Sequence, residues 1–300
     1  MPFLYEKITL YGREGIEITG FEGNAKKLTV PEYIDGLPVL SIGKNAFNDS
    51  CRELRSVALP RGIKQIRAFS FYFCSSLRSV SLYDGVEDYY DGAIRTSAGI
   101  SDIEIYMTEN RYELVRRLLE DSDRKLRVLF HFPDSSLQLI FPDYNSNMIE
   151  DTRAQTFHIR IEGSGFSYRE CVRKDGIRTA EYDSMFRRAL SGDFPEISAE
   201  IAMSRLMYPA GLGEKAAAVY RDHIKSKIDD VLRMAFLPEN PGWLELLIRE
   251  ELISEEKTDL ALRLAGERKL PEAAGQLMEY RRRTFSPAAG TVFSLDDFDI

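Results

Sequence analysis

Three histidines, three cysteines and a few arginine clusters are the groups in this 300-residue chain best equipped for chemistry. Cys171 with His158, and His131 in the same stretch, form the most suggestive set, because a thiol becomes a useful nucleophile when a histidine beside it takes its proton. Such sets assemble through space, so their separation in sequence is no obstacle. No His-Glu-x-x-His, His-x-His or clustered Cys/His spacing appears, so neither a metal nor a cofactor is expected. Gly163-Ser164-Gly165 lacks both the Lys-Ser/Thr of a phosphate loop and the spacing of a nucleophile elbow. Asp84, Glu87, Asp88 and Asp91 do not follow the twelve-residue calcium loop. His223 reads as a side position on a helix. Arg116-Arg117, Arg187-Arg188 and Arg281-Arg282-Arg283 read as solvated helix faces. Cys51, Cys74 and Cys171 are an odd number with no close pair, so no disulfide framework is implied; Cys74 is expected as a small buried hydrophobe in a turn, with Cys51 at the related earlier place.

Composition narrows the partners. Forty basic and 48 acidic residues give a formal net charge of -8, which provides no general attraction to nucleic acid or anionic lipid. The 44% hydrophobic content is that of a folded chain. Met1-Pro2-Phe3-Leu4-Tyr5-Glu6 carries no leader pattern, and no apolar run is long enough to cross a bilayer. Cytoplasmic residence, or the cell surface if the natural chain carries a leader ahead of this sequence, with no nucleic-acid and no membrane partner, are the expectations.

The elements that must position any site begin with a repeated phrase. Leu54-Arg55-Ser56-Val57-Ala58-Leu59 returns 23 residues later as Leu77-Arg78-Ser79-Val80-Ser81-Leu82, and a worn copy starts another 23 residues on at Ile100. A fixed period of this size means one supersecondary unit reused, each copy covering its neighbour's apolar face. Val57 and Leu59 alternate with Ala58 in the two-residue period of a strand; Pro60 ends it and Gly62 turns the chain. Three to four units are legible. The strands should be parallel, with Arg55, Ser56, Arg78, Ser79, Ser81, Tyr83, Asp102, Glu104 and Tyr106 on the outward face, which is the candidate partner-binding surface. Ile8–Tyr11 and Ile16–Phe21, separated by Gly12 to Gly15, read as a hairpin-like cap.

The framework Leu54, Val57, Leu59, Pro60, Ile63, Ile66 and Phe71, with the Ala46-Phe47 pair, resembles the leucine-rich repeat of bacterial BspA-like proteins. The resemblance covers residues about 24–107. It implies a curved solenoid that binds other macromolecules, often at the cell surface.

After Met107 the period disappears. Residues 109–120 have helical spacing, Leu126–Phe132 and Leu137–Phe141 read as a hairpin, and Phe157–Ile161 as a strand; Ser167–Val172 suits either a strand or the start of a helix. From Tyr182 the period is helical, with Ser198 as an expected N-cap, one long stripe from Ala216 to Ala235, Ser254 capping the next helix, Gly266 ending it and Pro271 opening the last. That last pair, with its Pro271-Glu272-Ala273-Ala274 start and Leu277 stripe, faintly resembles the helical half of an ankyrin repeat. The tail from Ser286 to Ile300 reads as an end that folds back or frays, with docking as a linear motif the alternative.

The expected fold is α+β: a short leucine-rich-repeat solenoid with its N-terminal cap over 1–107, a mixed α/β connecting or capping region over 108–195, and an all-helical, helical-repeat-like array with an acidic tail over 196–300. The expected function is non-enzymatic protein binding or scaffolding through the strand face, the helical array or both, with another protein as partner. The alternative is a small enzyme or ligand-sensing domain within 108–195, for which a small-molecule ligand stays open.

Overall fold

The structure, a computed structural model, describes residues 3–47, 53–95, 97, 99–151 and 156–285. Cys51 and the tail from Ser286 lie outside them. The chain divides into two compact units, Met1–Tyr220 and Arg221–Ile300.

The first unit opens with β1 (Phe3–Leu10) and β2 (Arg13–Phe21), antiparallel across a tight turn at Tyr11-Gly12, where both residues have positive φ. Gly15 therefore lies inside β2 and not in the turn. The coil follows as β3 (Lys27–Thr29), β4 (Tyr33–Ile34), β5 (Leu37–Ile42), β6 (Ser56–Ala58), β7 (Gln65–Ile66), β8 (Ser79–Tyr83), β9 (Asp88–Tyr89) and β10 (Asp102–Tyr106). Helix α1 (Glu113–Glu120) interrupts it, and β11 (Leu126–His131) and β12 (Ser136–Phe141) come next.

Two sheets form the walls of the coil. One has the order β1-β2-β5-β7-β9, with β4 on β5; the other runs β12-β11-β10-β8-β6-β3. From β2 to β9 each turn thus lays down one strand in each wall, and between β10 and β11 helix α1 stands where the first wall's strand would be. In the second wall Val57 pairs with Val80 and Val80 with Ile103, so the 23-residue period is a parallel register. Val57, Val80 and Ile103 are all buried, as are Leu59, Leu82 and Ile105 on the neighbouring row. At the corner, Phe47 stacks on Phe71 with ring centroids 5.3 Å apart, and the buried Cys74 thiol donates to Phe47 O at 2.8 Å.

The coil is longer than its legible period. β2 pairs parallel with β5 and so is already a rung of the first wall, and β11, besides forming the expected hairpin with β12, pairs parallel with β10. The steps that contain the β4–β5 hairpin and α1 break the 23-residue spacing without breaking the stack.

β13 (Asn145–Asp151) and β14 (Thr156–Glu162) form a separate antiparallel pair. The ambiguous stretch after it becomes helix α2 (Gly165–Arg169) followed by β15 (Val172–Arg173), which pairs with β16 (Gly176–Ile177). A Cβ at Gly165 would fall 2.1 Å from Pro142 O, so only glycine lets α2 start this close to the exit of β12. Helices α3 (Thr179–Ser184), α4 (Phe186–Gly192) and α5 (Pro195–Met207) complete the closure, and α6 (Glu214–Ser226) carries the unit boundary. Helix α5 starts at Pro195, so Ser198 is not its N-cap; the Ser198 hydroxyl donates back to Pro195 O at 2.8 Å.

The second unit contains α7 (Ile228–Ala235), α8 (Trp243–Arg249), α9 (Glu255–Glu267) and α10 (Pro271–Phe285). The Ala216–Ala235 stripe is therefore two helices, α6 and α7. Ser254 caps α9 by accepting from Lys257 N, and Pro271 opens α10 as expected, while Gly266 sits within the last turn of α9. The Tyr280 phenol on α10 donates to Ile253 O at 2.7 Å.

One buried ion pair fastens the closing helices of the first unit. Arg205 is fully buried and donates from Nε to Asp183 Oδ1 at 2.8 Å and from Nη2 to Oδ2 at 3.1 Å; its Nη1 donates to Tyr208 O and Ala210 O. The Tyr220 phenol donates to the same carboxylate at 2.8 Å. Removing one member leaves the other charge uncompensated, so Asp183→Asn is expected to cost about 3 to 5 kcal/mol, read from the urea midpoint. Asp183→Asn with Arg205→Met should recover most of that loss.

Candidate functional site

The outward face of the second wall is built by strict alternation. In β8 and β10, Val80, Leu82, Ile103 and Ile105 point inward, leaving Ser79, Ser81 and Tyr83, then Asp102, Glu104 and Tyr106, half-buried on the other side. Parallel register turns these residues into columns. Ser56, Ser79 and Asp102 share one, Ala58, Ser81 and Glu104 the next, and Tyr83 and Tyr106 the third. Arg55 and Arg78 stand exposed just before their strands.

The face extends beyond the residues read from sequence. β11 adds Arg127, Leu129 and His131 in register with Asp102, Glu104 and Tyr106. The alternation of Leu126, Val128 and Phe130 inward with these three outward was available as a signal. His131 stacks on Tyr106 at 4.6 Å between centroids, and Tyr106 on Tyr83 at 4.9 Å, with interplanar angles of 16° and 27°. The rings stack on one another through their faces and present their edges. Burial, the Glu104 carboxylate and the neighbouring Tyr83 raise the Tyr106 phenol, which stays protonated and able to donate at neutral pH.

Polar groups on the face are partly committed. Ser81 Oγ donates to Glu104 Oε2 at 3.0 Å, and Arg127 Nε lies 3.6 Å from Asp102 Oδ1. Toward β12 the surface ends at α5, where the buried Glu200 accepts from Lys125 Nζ at 2.6 Å. Ser204 on the same helix donates to Gln138 Oε1 at 2.9 Å.

The acidic residues noted in sequence have structural work. Buried Asp84 accepts from the backbone N–H groups of Thr108, Glu109 and Arg111, Asp88 accepts from the Tyr11 phenol and Gln65, and Glu87 pairs with Lys64 and Arg111. Among the described residues no three His, Cys, Asp or Glu side chains are placed to hold a metal ion.

The structure separates His131 from Cys171. His131 belongs to the strand face, His158 lies on β14 opposite Ile149, and Cys171 follows α2. Cys171 borders a cleft of about 880 Å³ whose lining runs from Arg116 to Arg188 and includes Tyr144, Phe166, Lys174 and Met185. Burial first, then Glu181, pushes its thiol up to about 11, the reverse of what a nucleophile needs. Beside the cleft, the buried Arg169 guanidinium donates to the carbonyls of Leu119, Ser122, Arg124, Pro142 and Gly165 and stacks on Tyr144 at 4.9 Å.

Residues 17–113 match the family described as BspA type Leucine rich repeat region, in six copies, more than the three to four units legible by eye. No curated protein matches the sequence. Among solved structures, the chain is similar to a leucine rich cell surface protein from Faecalibacterium prausnitzii, with 21% identity over 43% of this chain and 41% of that one and a TM-score of 0.30. It is also similar to a leucine-rich repeat protein from Bacteroides ovatus, with 20% identity over 35% of this chain and 30% of that one and a TM-score of 0.30. The T. pallidum Leucine Rich Repeat protein shows 24% identity over 33% of this chain and 68% of that one, with a TM-score of 0.22. The chain spans less than half the length of the first two, and these likenesses concern the fold alone.

The expected cytoplasmic residence does not stand: the match of residues 17–113 to the BspA-type repeat family overturns it. Among the described residues no helix is long and apolar enough to cross a membrane. Repeat regions of this kind serve in general in protein–protein interaction or scaffolding. With parallel rungs, a two-walled coil and one alternating outward face, residues 17–113 are a BspA-type leucine-rich repeat region.

Proposed function

We propose that this protein is an interaction module, met by its partner outside the cytoplasm, whose binding surface is the outward face of the second wall. The observation that carries this reading is the Tyr83–Tyr106–His131 ladder, set in register beside the columns of Ser56, Ser79, Asp102 and Ser81, Glu104. Backbone pairing fixes the strands of the face and stacking holds its three rings before a ligand arrives, so little backbone or ring freedom is left to lose on binding. Aromatic edges with phenol donors suit a protein partner, which needs both apolar contact and hydrogen bonds. A photo-crosslinking residue at Ser81 (Ser81→p-benzoylphenylalanine), exposed to the producing organism's surface fraction, should give a discrete protein adduct that Tyr106→Ala reduces at least about tenfold, the loss of one hot-spot aromatic. Equal labelling from Met278, exposed on α10, would show that the strand face is not selective.

The cleft beside Cys171 favours a second reading, a small-molecule site in the region read as 108–195. Its volume is that of a ligand pocket, and Tyr144, Phe166, Lys174 and Arg188 supply aromatic and cationic lining. A cysteine enzyme is not that reading. At pH 7.5 a thiol with a pKa of about 11 holds roughly a hundredth of the thiolate of one at 9. Iodoacetamide should therefore modify Cys171 in the folded chain about a hundredfold more slowly than in urea, with the rate climbing as pH rises toward 11, as mass spectrometry of the Cys171 peptide would show.

A further inference from the structure

The strand face carries at its leading edge a column of positive charge that no carboxylate among the described residues pairs. Arg55 N donates to Lys26 O at 2.8 Å and Arg78 N to Arg55 O at 2.8 Å, so backbone bonds stack Lys26, Arg55 and Arg78 directly over one another. Strand spacing puts neighbours about 4.8 Å apart. Lys27, in register with Ser56, adds a fourth cation beside them, and all four side chains are exposed.

Among the described residues none of these four has a carboxylate partner. Arg78 Nη1 donates only to the carbonyls of Ser75 and Leu77, at 2.9 and 3.3 Å. The acids further along the face are held by Ser81, Ser101 and Arg127. Like charges directly opposite one another in a sheet are destabilising. The coil thus carries a repulsion that neutral side chains at these exposed positions would avoid, and an anion laid along the column would relieve it.

We infer that the partner of this face presents an acidic peptide segment, its carboxylates on Lys26, Lys27, Arg55 and Arg78 and its following apolar side chains on Tyr83, Tyr106 and Leu129. The column from Lys26 to Arg78 is two strand steps, about 10 Å, the reach of roughly three extended residues. Four cations on a chain of net charge -8 release too few counterions to hold a polynucleotide, and the aromatic column, which starts at Tyr83 on the far end of the strand that follows Arg78, fits side chains of a peptide. The inference rests on the strand-face reading above and gives its partner a chemistry.

The test is fluorescence anisotropy with a labelled hexaglutamate peptide and the full chain. Binding should saturate at low salt and weaken about tenfold or more between 50 and 200 mM salt, as expected for several charge contacts. Arg55→Glu should abolish it, Arg55→Ser should weaken it about tenfold, and the same charge change at Arg268, exposed at the end of α9, should leave it unchanged. Because Arg55→Glu places a carboxylate between Lys26 and Arg78, its Tm should rise by about 1 to 3 °C. No binding of the peptide, equal binding by Arg55→Glu, a fall in that variant's Tm, or binding of a sulfated glycan in place of the peptide would each overturn the inference. A Ser81 photoadduct that persists while hexaglutamate fails would leave the strand-face reading standing and remove only the acidic partner.

Discussion

A rung of this coil has no core of its own. Val80 is buried because Val57 and Ile103 lie on either side of it in register, and the same holds for Leu82 between Leu59 and Ile105. Everything else in the first unit answers the problem that such a stack has two open ends. At the start, β1 folds back on β2, and its free edge carries exposed Glu6 and Lys7 at its centre. Two copies pairing there about a two-fold axis would set Glu6 against Glu6 or Lys7 against Lys7, which disfavours edge-to-edge growth. At the far end β12 turns antiparallel, and the buried Tyr182 phenol replaces the missing strand: it donates to Ile140 O at 2.7 Å and accepts from Ile140 N at 3.0 Å.

That closing layer has its own buried apolar side chains, among them Tyr168, Phe186, Ile201 and Met203, and buried polar groups fasten it to the coil. Among the described residues Arg169 has no carboxylate within ion-pair distance; it spends its donors on five carbonyls, joining the end of α1, the exit of β12 and the start of α2. Burial pulls its guanidinium down to about 10, so it remains charged at neutral pH and the carbonyl oxygens carry the compensation. Asp121 accepts from Tyr89 Oη, Gly92 N and Ile94 N, with Arg95 Nε 3.4 Å from its Oδ1, and so ties the loop after α1 to the coil's last corner. Such contacts are directional. They fix how the layer sits on the coil where apolar contact alone would let it slide.

The rungs were legible in the sequence because burial on one side imposes alternation and stacking imposes a period. Where a turn contained an insertion, only alternation survived: β2 read as part of a cap and β11 as part of a hairpin, although both are also rungs. Ser198 misled because Pro195, whose fixed φ suits the first helical position, starts α5 three residues earlier. The corner residue also hid its constraint. Asn45, Phe69 and Gly92 occupy equivalent places with φ of 57°, 59° and 83°, and only the first and last are residues that the left-handed region favours. The ring of Phe69 lies where a Cβ on Gly92 would come within 2.9 Å, so the outlier is held by the absence of a side chain one rung away. The catalytic candidates His131 and Cys171 were residue types without geometry, and the fold put them on different surfaces.

Charge shows most clearly what composition averages out. A net charge of -8 argues against partners drawn by the field of the whole chain, and that argument stands for a long polyanion. At a surface, however, the field felt by a ligand is set within about 8 Å at physiological ionic strength. A coil places residues from successive turns inside that distance: Lys26, Arg55 and Arg78 are far apart along the chain and adjacent across the wall. The same stacking that hides a leucine from water therefore concentrates whatever stands at the equivalent outward position. In a repeat protein the charge that a partner meets is a property of columns, and a sum over the sequence does not contain it.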